Sequence, residues 1–328
     1  MLTSFLGLHS PLSHILTPRF LTLSLLPSDS DKSPVTSSSS SRPPPSKGAQ
    51  DGPSRDPSLR ALATISALSG TLGLAAVMAA QSVSGYLFLL ALLGPTSAGD
   101  YMTEFIRTDV STLTPEQLSA RAAMARSPRY AAFLVLFSIF SAALPEELLK
   151  YLPVAWLQRR QQRQQQKKKL GKSAAVSAAT AASLGFALVE LAAYVQAAAP
   201  AAAAGTGPSM AVTLLERVFI GLPGHVAMAV LSAARGADAD ADADVDDSAA
   251  PGWRGVVSAI APSVLYHGLY DLALFGTSAW VGGHVGWVHP VGARAVVGML
   301  GFVLSVQGVL YAHTLRAWLG WGDKSKKQ

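Results

Sequence analysis

From Leu59 onward the chain is a succession of long apolar blocks separated by short polar stretches. A block of roughly 18 or more apolar residues with few charges is long enough to cross a bilayer as a helix. Such blocks lie near 130–157, 173–199, 210–234, 252–276 and 291–316. Leu59 to Leu93 is longer than one crossing needs, at about 1.5 Å rise per residue against roughly 30 Å of hydrocarbon. Polar Gln81-Ser82 and Ser84-Gly85 offer a break there, so the pattern predicts two helices, the second short. The expected fold is all-α, a polytopic transmembrane helix bundle of about seven spans, with six to eight as the range.

Between the blocks, Asp100 to Arg129 is polar and carries a Thr114-Pro115-Glu116 helix start, so it reads as an extramembrane segment. Ala197 to Pro208 reads as a short turn-rich loop, and the alternating Ala/Asp tract from Ala237 to Asp247 as a solvated, disordered one. Residues 1–57 are rich in Ser and Pro and cannot bury enough apolar surface to fold, which predicts a disordered tail. Its first 26 residues are moderately apolar and contain no acid, so a degenerate targeting segment is the competing reading. Residues 58–317 form the expected membrane domain, and 318–328 a basic C-terminal tail.

Composition agrees with a membrane protein. Half of the 328 residues are apolar, 14% are charged and the mean hydropathy is +0.32. The absence of cysteine excludes disulfides, thiolate metal sites and a Cys nucleophile. The net charge is +6, and much of the basic charge sits in one run from Arg159 to Lys172. Apolar blocks flank this run closely, so it reads as a cytosolic loop obeying the positive-inside rule and not as a nucleic-acid site. Counting spans from it puts the acidic tract and the tail lysines Lys324, Lys326 and Lys327 on the same side, and Asp100–Arg129 on the other. Arg121, Arg126 and Arg129 run against that orientation. The expected setting is a multi-pass protein of the endomembrane system.

Charge inside the hydrocarbon is expensive, at about 2.5–3.5 kcal/mol per residue on insertion scales, and marks function. Four consecutive blocks contain it. They carry Pro145-Glu146-Glu147-Leu-Leu-Lys150, then Gly185-Phe186-Ala-Leu-Val-Glu190, then Glu216-Arg217 with Pro223-Gly224-His225, and then His267-Gly-Leu-Tyr-Asp271. Measured from the cytosolic ends, Glu146, Glu190, His225 and His267 lie roughly 17, 26, 14 and 23 Å deep, close enough to share one level. Glu146 with Lys150, and His267 with Asp271, are i, i+4 neighbours on a helix. Asp271 can fix the His267 tautomer. Glu216-Arg217, beside the 200–209 loop, reads as structural. His284 and His289 read as part of an interfacial loop.

Carboxylates and imidazoles together suit a divalent metal such as Zn²⁺, whose bound water reaches a pKa of about 7 and can attack a peptide carbonyl. A carboxylate withdrawn from bulk water can activate the same nucleophile without a metal. Both chemistries are hydrolytic. The metal-ligand candidates are Glu146, Glu190, His225 and His267, and Glu147, Lys150 and Asp271 complete the catalytic set.

The ordered set Glu146-Glu147-x-x-Lys150, Phe186-x-x-x-Glu190, His225 and His267-x-x-x-Asp271 resembles the PrsW family of intramembrane proteases. That family is similar to the type II CAAX-prenyl-endopeptidase-like superfamily, with its EExxxR, FxxxH and HxxxN/D-type motifs. The resemblance covers about 130–275. It implies that Glu146 and Glu147 activate water or bind metal. Glu190, His225 and His267 would complete the ligand or oxyanion-stabilising set, Asp271 would orient His267, and Lys150 would neutralise or position the glutamates. Leu191 stands where many relatives carry Asn. The implied partners are a membrane protein substrate and the bilayer. Two other readings compete: a proton- or cation-coupled transporter, although no internal repeat supports it, and an inactive scaffold. No H-E-x-x-H or G-x-S-x-G motif occurs.

Overall fold

The computed structural model describes residues 57–107, 109–163, 170–203, 214–242, 253–286 and 293–324. The expected disordered tail, the distal half of the Ala/Asp tract, His289 and the lysines at 326 and 327 lie outside them. The described residues form helices joined by turns, with no strand among them.

Helix α1 runs without interruption over Leu59–Leu93. Two short helices follow, α2 (Pro95–Phe105) and α3 (Pro115–Ala125). The long helix α4 comprises Pro128–Leu136, a π turn at Phe137–Ala143 and Leu144–Arg163. Helix α5 spans Lys172–Ala203. Helix α6 comprises a π turn at Glu216–Gly221 and Leu222–Asp242. Helices α7 (Trp253–Trp280) and α8 (Ala293–Lys324) complete the chain. Helices α1, α4, α5, α6 and α8 are long and apolar enough to cross a membrane by length and composition. Helix α7 has the length but carries His267, Tyr270 and Asp271, and it packs among the others. Six long helices fall within the expected range.

The break expected in Leu59–Leu93 does not occur, because its polar residues have partners. Ser82 and Ser84 donate to the carbonyls of Met78 and Ala80 one turn back, and Gln81 reaches across to α4. The helix widens instead at Ser69–Gly73, another π turn. There Ser66 and Gly70, four residues apart, press their backbone against Gly185 of α5. A Cβ added at Gly185 would collide with the Ser66 carbonyl, and one at Gly70 with the Gly185 carbonyl. Close approach of small residues is a standard way to join helices in lipid, where the hydrophobic effect cannot do so.

Two further expectations are corrected. The loop drawn from Ala197 is helical as far as Ala203, consistent with the high helix propensity of its alanines. The first part of the Ala/Asp tract, Ala237–Asp242, continues α6, and Asp238 pairs with Lys172 at the start of α5.

Two apolar layers enclose a polar one. At the end of the bundle nearer the basic run, Tyr151 and Val154 pack on the alanine face of α5 (Ala175, Ala178, Ala179) and on Ile260. At the other end Tyr101, Tyr130 and Phe133 join Leu89 and Val285. Phe105, Phe133, Phe137 and Phe275 stack there with ring centroids 4.9–5.7 Å apart. Thr114 caps α3 in a reciprocal capping box with Gln117, as the Thr-Pro-Glu start predicts. The helix carries Arg121, whose guanidinium is buried against Glu104, the Arg107 carbonyl and the Val285 carbonyl. Arg121 is therefore a structural clamp between α2, α3 and the turn after α7, which removes one of the three arginines that argued against the orientation. Gly286, at φ 75°, donates to the Tyr130 hydroxyl at 2.7 Å in the same clamp.

Gly185→Ala is expected to force α1 away from α5 and to destabilise the fold by about 1–3 kcal/mol, the usual cost of overpacking. A lowered melting temperature in detergent checks this. Gly298→Ala, at an open position on α8, is the control expected to show no loss.

Candidate active site

The polar layer is built on three helices, two of which are locally irregular. In α4 the π turn ends at Ala143, two residues before Pro145. In α6 it ends at Gly221, two residues before Pro223. A proline inside a helix removes a backbone donor and crowds the carbonyl four residues earlier. Widening the preceding turn relieves that crowding, and such π turns are frequent at functional sites. Glu146 and Glu147 follow the first proline directly, and His225 lies two residues after the second. In α7 the helix stays regular, and His267 sits five residues after Pro262.

All seven residues singled out in the sequence converge here. Glu147 is the hub: its Oε1 accepts from Lys150 Nζ at 2.8 Å and from His267 Nδ1 at 2.9 Å. When the ring is neutral, that leaves the lone pair on His267 Nε2, which faces Glu146 Oε2 and Asp271 Oδ2, each at 3.6 Å. Lys150 Nζ also lies 2.7 Å from His225 Nδ1 and 3.6 Å from Glu146 Oε2. A lysine ammonium can only donate, so His225 Nδ1 accepts and its Nε2–H donates to Glu190 Oε2 at 3.0 Å. The two imidazoles cross edge to face with centroids 5.2 Å apart. Phe186 backs them, its ring 6.0 Å from His225 and 4.9 Å from the Lys150 ammonium.

Glu146, Glu147, Lys150, His225 and His267 are buried, and Glu190 and Asp271 are nearly so. The layer holds four carboxylates (Glu146, Glu147, Glu190, Asp271) against two fixed cations, Lys150 and Arg217. Negative charge is therefore in surplus when the imidazoles are neutral, with Glu216 adding more at the edge. Such a surplus is costly away from water unless protons or a cation offset it.

A metal fits this donor set. One ligand atom from each of Glu146, His225 and His267 lies within 4.8 Å of the others. Glu146 Oε2 is buried without a hydrogen-bond partner and faces the His267 Nε2 lone pair. Two electron-rich atoms turned toward one another call for a cation or a proton-bearing group between them. Glu190 is not in this group of three; it stands behind His225.

Three neighbours escaped sequence reasoning. Gln81 of α1 donates to Glu146 Oε1 at 3.0 Å. Its polarity inside an apolar block was the available signal, and it was read as a break. Gln307 of α8 is buried and donates to the Ile220 carbonyl at 2.8 Å, bracing the π turn of α6. Arg217, read as structural with its neighbour Glu216, lays its guanidinium 3.5 Å from the centroid of the Tyr194 ring. Adjacent residues on a helix do not face one another. A narrow cavity between α5 and α6 is lined by Glu190, Leu191, Arg217, Gly221, Leu222 and His225.

Gln81→Leu keeps the volume but leaves a buried carboxylate oxygen without its donor, at a cost of about 1–3 kcal/mol. A lower melting temperature is the expected outcome. Ser82→Ala, which removes a bond internal to α1, is expected to change it little.

No curated protein and no solved structure matches the chain. The family model described as PrsW family intramembrane metalloprotease matches residues 87–306 and so takes in α4 to α7 with every residue of the buried cluster, and leaves out the neighbours Gln81 and Gln307. On that match the chain belongs to the PrsW family of intramembrane metalloproteases, and it is a peptidase.

Proposed function

We propose that the protein hydrolyses a peptide bond of a membrane protein substrate within its polar layer, using water activated by Glu146. The supporting observation is the buried Glu146 Oε2, which makes no hydrogen bond and stands 3.6 Å from His267 Nε2 within a donor group completed by His225. A water at this position gives its proton to Glu146 while its oxygen attacks the substrate carbonyl carbon. As the carbon–nitrogen bond breaks, the leaving amine takes that proton from Glu146. Gln81 turns the Glu146 carboxylate by holding its other oxygen.

The remaining residues fix this arrangement. Glu147 accepts from His267 Nδ1 and so keeps the His267 lone pair on Nε2, toward Glu146. Lys150 balances the charge of Glu147 and holds His225 Nδ1. Glu190 orients His225 from the other ring nitrogen, in place of the ligand role expected from the sequence. Asp271 sits on the open side of His267 Nε2, where it holds a proton donor such as the water itself. Glu146, His225 and His267 would hold a divalent metal, zinc among the candidates by donor chemistry, with Lys150 releasing His225 Nδ1 so that this nitrogen's lone pair is available to the ion. Such an ion would lower the pKa of water and polarise the substrate carbonyl.

Glu146→Gln and His267→Ala are each expected to reduce cleavage of a single-span membrane substrate by about 10²-fold or more, the usual share of positioned acid–base groups. Both variants should remain inserted in the membrane. The purified protein is expected to carry about one equivalent of divalent metal, lost in His267→Ala. Full cleavage by both variants would remove Glu146 and His267 from the chemistry. Cleavage by a metal-free, chelator-treated protein would leave the carboxylate as sole activator of water.

A further inference from the structure

Helix α8 gives no side chain to the buried cluster, and it turns Val297, Phe302, Leu304, Val309 and Leu315 outward. In the middle of this apolar helix Gln307 is buried, at 7% exposure. A polar side chain inside a membrane-spanning helix faces a partner and has a reason to be there. Both hydrogens of its amide are committed. Nε2 donates to the Ile220 carbonyl at 2.8 Å and to the Tyr311 hydroxyl, one turn along α8, at 2.5 Å. The amide is thereby held in one orientation. It also lies against Gly224, where an added Cβ would stand 3.2 Å from Nε2. Glycine at 224, next to His225, is what lets the α8 side chain come down onto the α6 backbone.

A reacting constellation works only when its side chains are held to within about 0.5 Å of the productive geometry. The stretch of α6 that leads into His225 is a poor carrier for that precision. It is irregular at the π turn over Glu216–Gly221, and Pro223 then supplies no amide to the carbonyls of the preceding turn. Donors are fewer than carbonyls here, and Gln307 brings one from another helix. We infer that Gln307 is a positioning residue for the reaction: through the Ile220 carbonyl it holds the end of the π turn and so sets where the His225 imidazole stands against Glu146 and His267. The inference rests on the hydrolytic reading of the cluster. Lys150 and Glu190 orient the His225 ring from its two nitrogens, and Gln307 fixes the backbone that carries it. A second bond joins the same two helices beyond His225, on the regular part of α6. There Thr314 Oγ1 donates to the Ala227 carbonyl at 3.3 Å. It has no part in the π turn and so offers a comparison within the molecule.

The test uses the full chain in detergent with isotope-labelled histidine. The ring resonances of His225 are those missing from His225→Ala. Gln307→Leu is expected to shift them. It is also expected to lower kcat on a single-span membrane substrate about tenfold or more with KM within about twofold, the pattern of a misplaced reacting group. Thr314→Val loosens the same pair of helices and is expected to leave resonances and kcat unchanged. Gly224→Ala pushes the Gln307 amide aside in a residue that favours helix, and is expected to shift the same resonances. It decides the matter if Gln307→Leu unfolds. Adding Gly224→Ala to a folded Gln307→Leu is expected to cost nothing further, because both act through one contact. The inference is overturned if Thr314→Val has an equal effect, if the two losses add, or if Gly224→Ala and a folded Gln307→Leu leave His225 unmoved. Shifted resonances in a chain that cleaves nothing would sink the hydrolytic reading and keep the hold of Gln307 on His225. Cleavage with unshifted resonances would sink the positioning role alone.

Discussion

A carboxylate in hydrocarbon must be paired, hydrogen-bonded or neutralised, and the bundle is organised around meeting that demand for Glu147. Its single acceptor atom Oε1 takes both Lys150 and His267, and so ties together two helices that are distant in the chain. Lys150 then reaches His225, and His225 reaches Glu190. This string of contacts draws α4, α5, α6 and α7 to one level of the bundle. The apolar layers on either side keep water from the pairs, which strengthens each contact and makes the loss of any one costly.

The same condition bears on chemistry. Groups already held by their neighbours need little reorganisation when charge develops on a reacting carbonyl, and such preorganisation accounts for much of what enzymes do. Glu147 Oε1 takes two buried donors, Lys150 and His267, whereas Glu146 Oε1 takes Gln81 alone, and each glutamate keeps its Oε2 without a hydrogen bond. In the proposed mechanism the two consecutive glutamates take different roles: Glu147 fixes the frame and Glu146 activates the water. The difference arises from helix geometry, since residues one apart point about 100° away from each other.

The sequence exposed the residues whose chemistry is out of place. Charges within apolar blocks are legible because the bilayer leaves few reasons for them, and Glu146, Glu190, His225 and His267, placed near one depth from the sequence, lie in one cluster with Glu147, Lys150 and Asp271. Their division of labour was not legible. Glu190 and Glu146 look alike in sequence, and only the contact with His225 Nε2 separates them. Gln81 was misread for a related reason: a polar residue with a partner 65 positions away looks, locally, like a helix break.

The prolines that follow the two π turns have an effect on motion. A π turn is one surplus residue, and in an ordinary helix it can travel, each step passing the surplus to the next turn and swinging every side chain it crosses by about 100°. Such drift in α6 would carry His225 out of the site, and in α4 it would exchange the places of Glu146 and Glu147. Travel toward the site requires a backbone amide at each step, and Pro145 and Pro223 have none to give. Each imino acid therefore acts as a ratchet stop, confining the defect to the stretch where it was formed and fixing the angular phase of the residues beyond it.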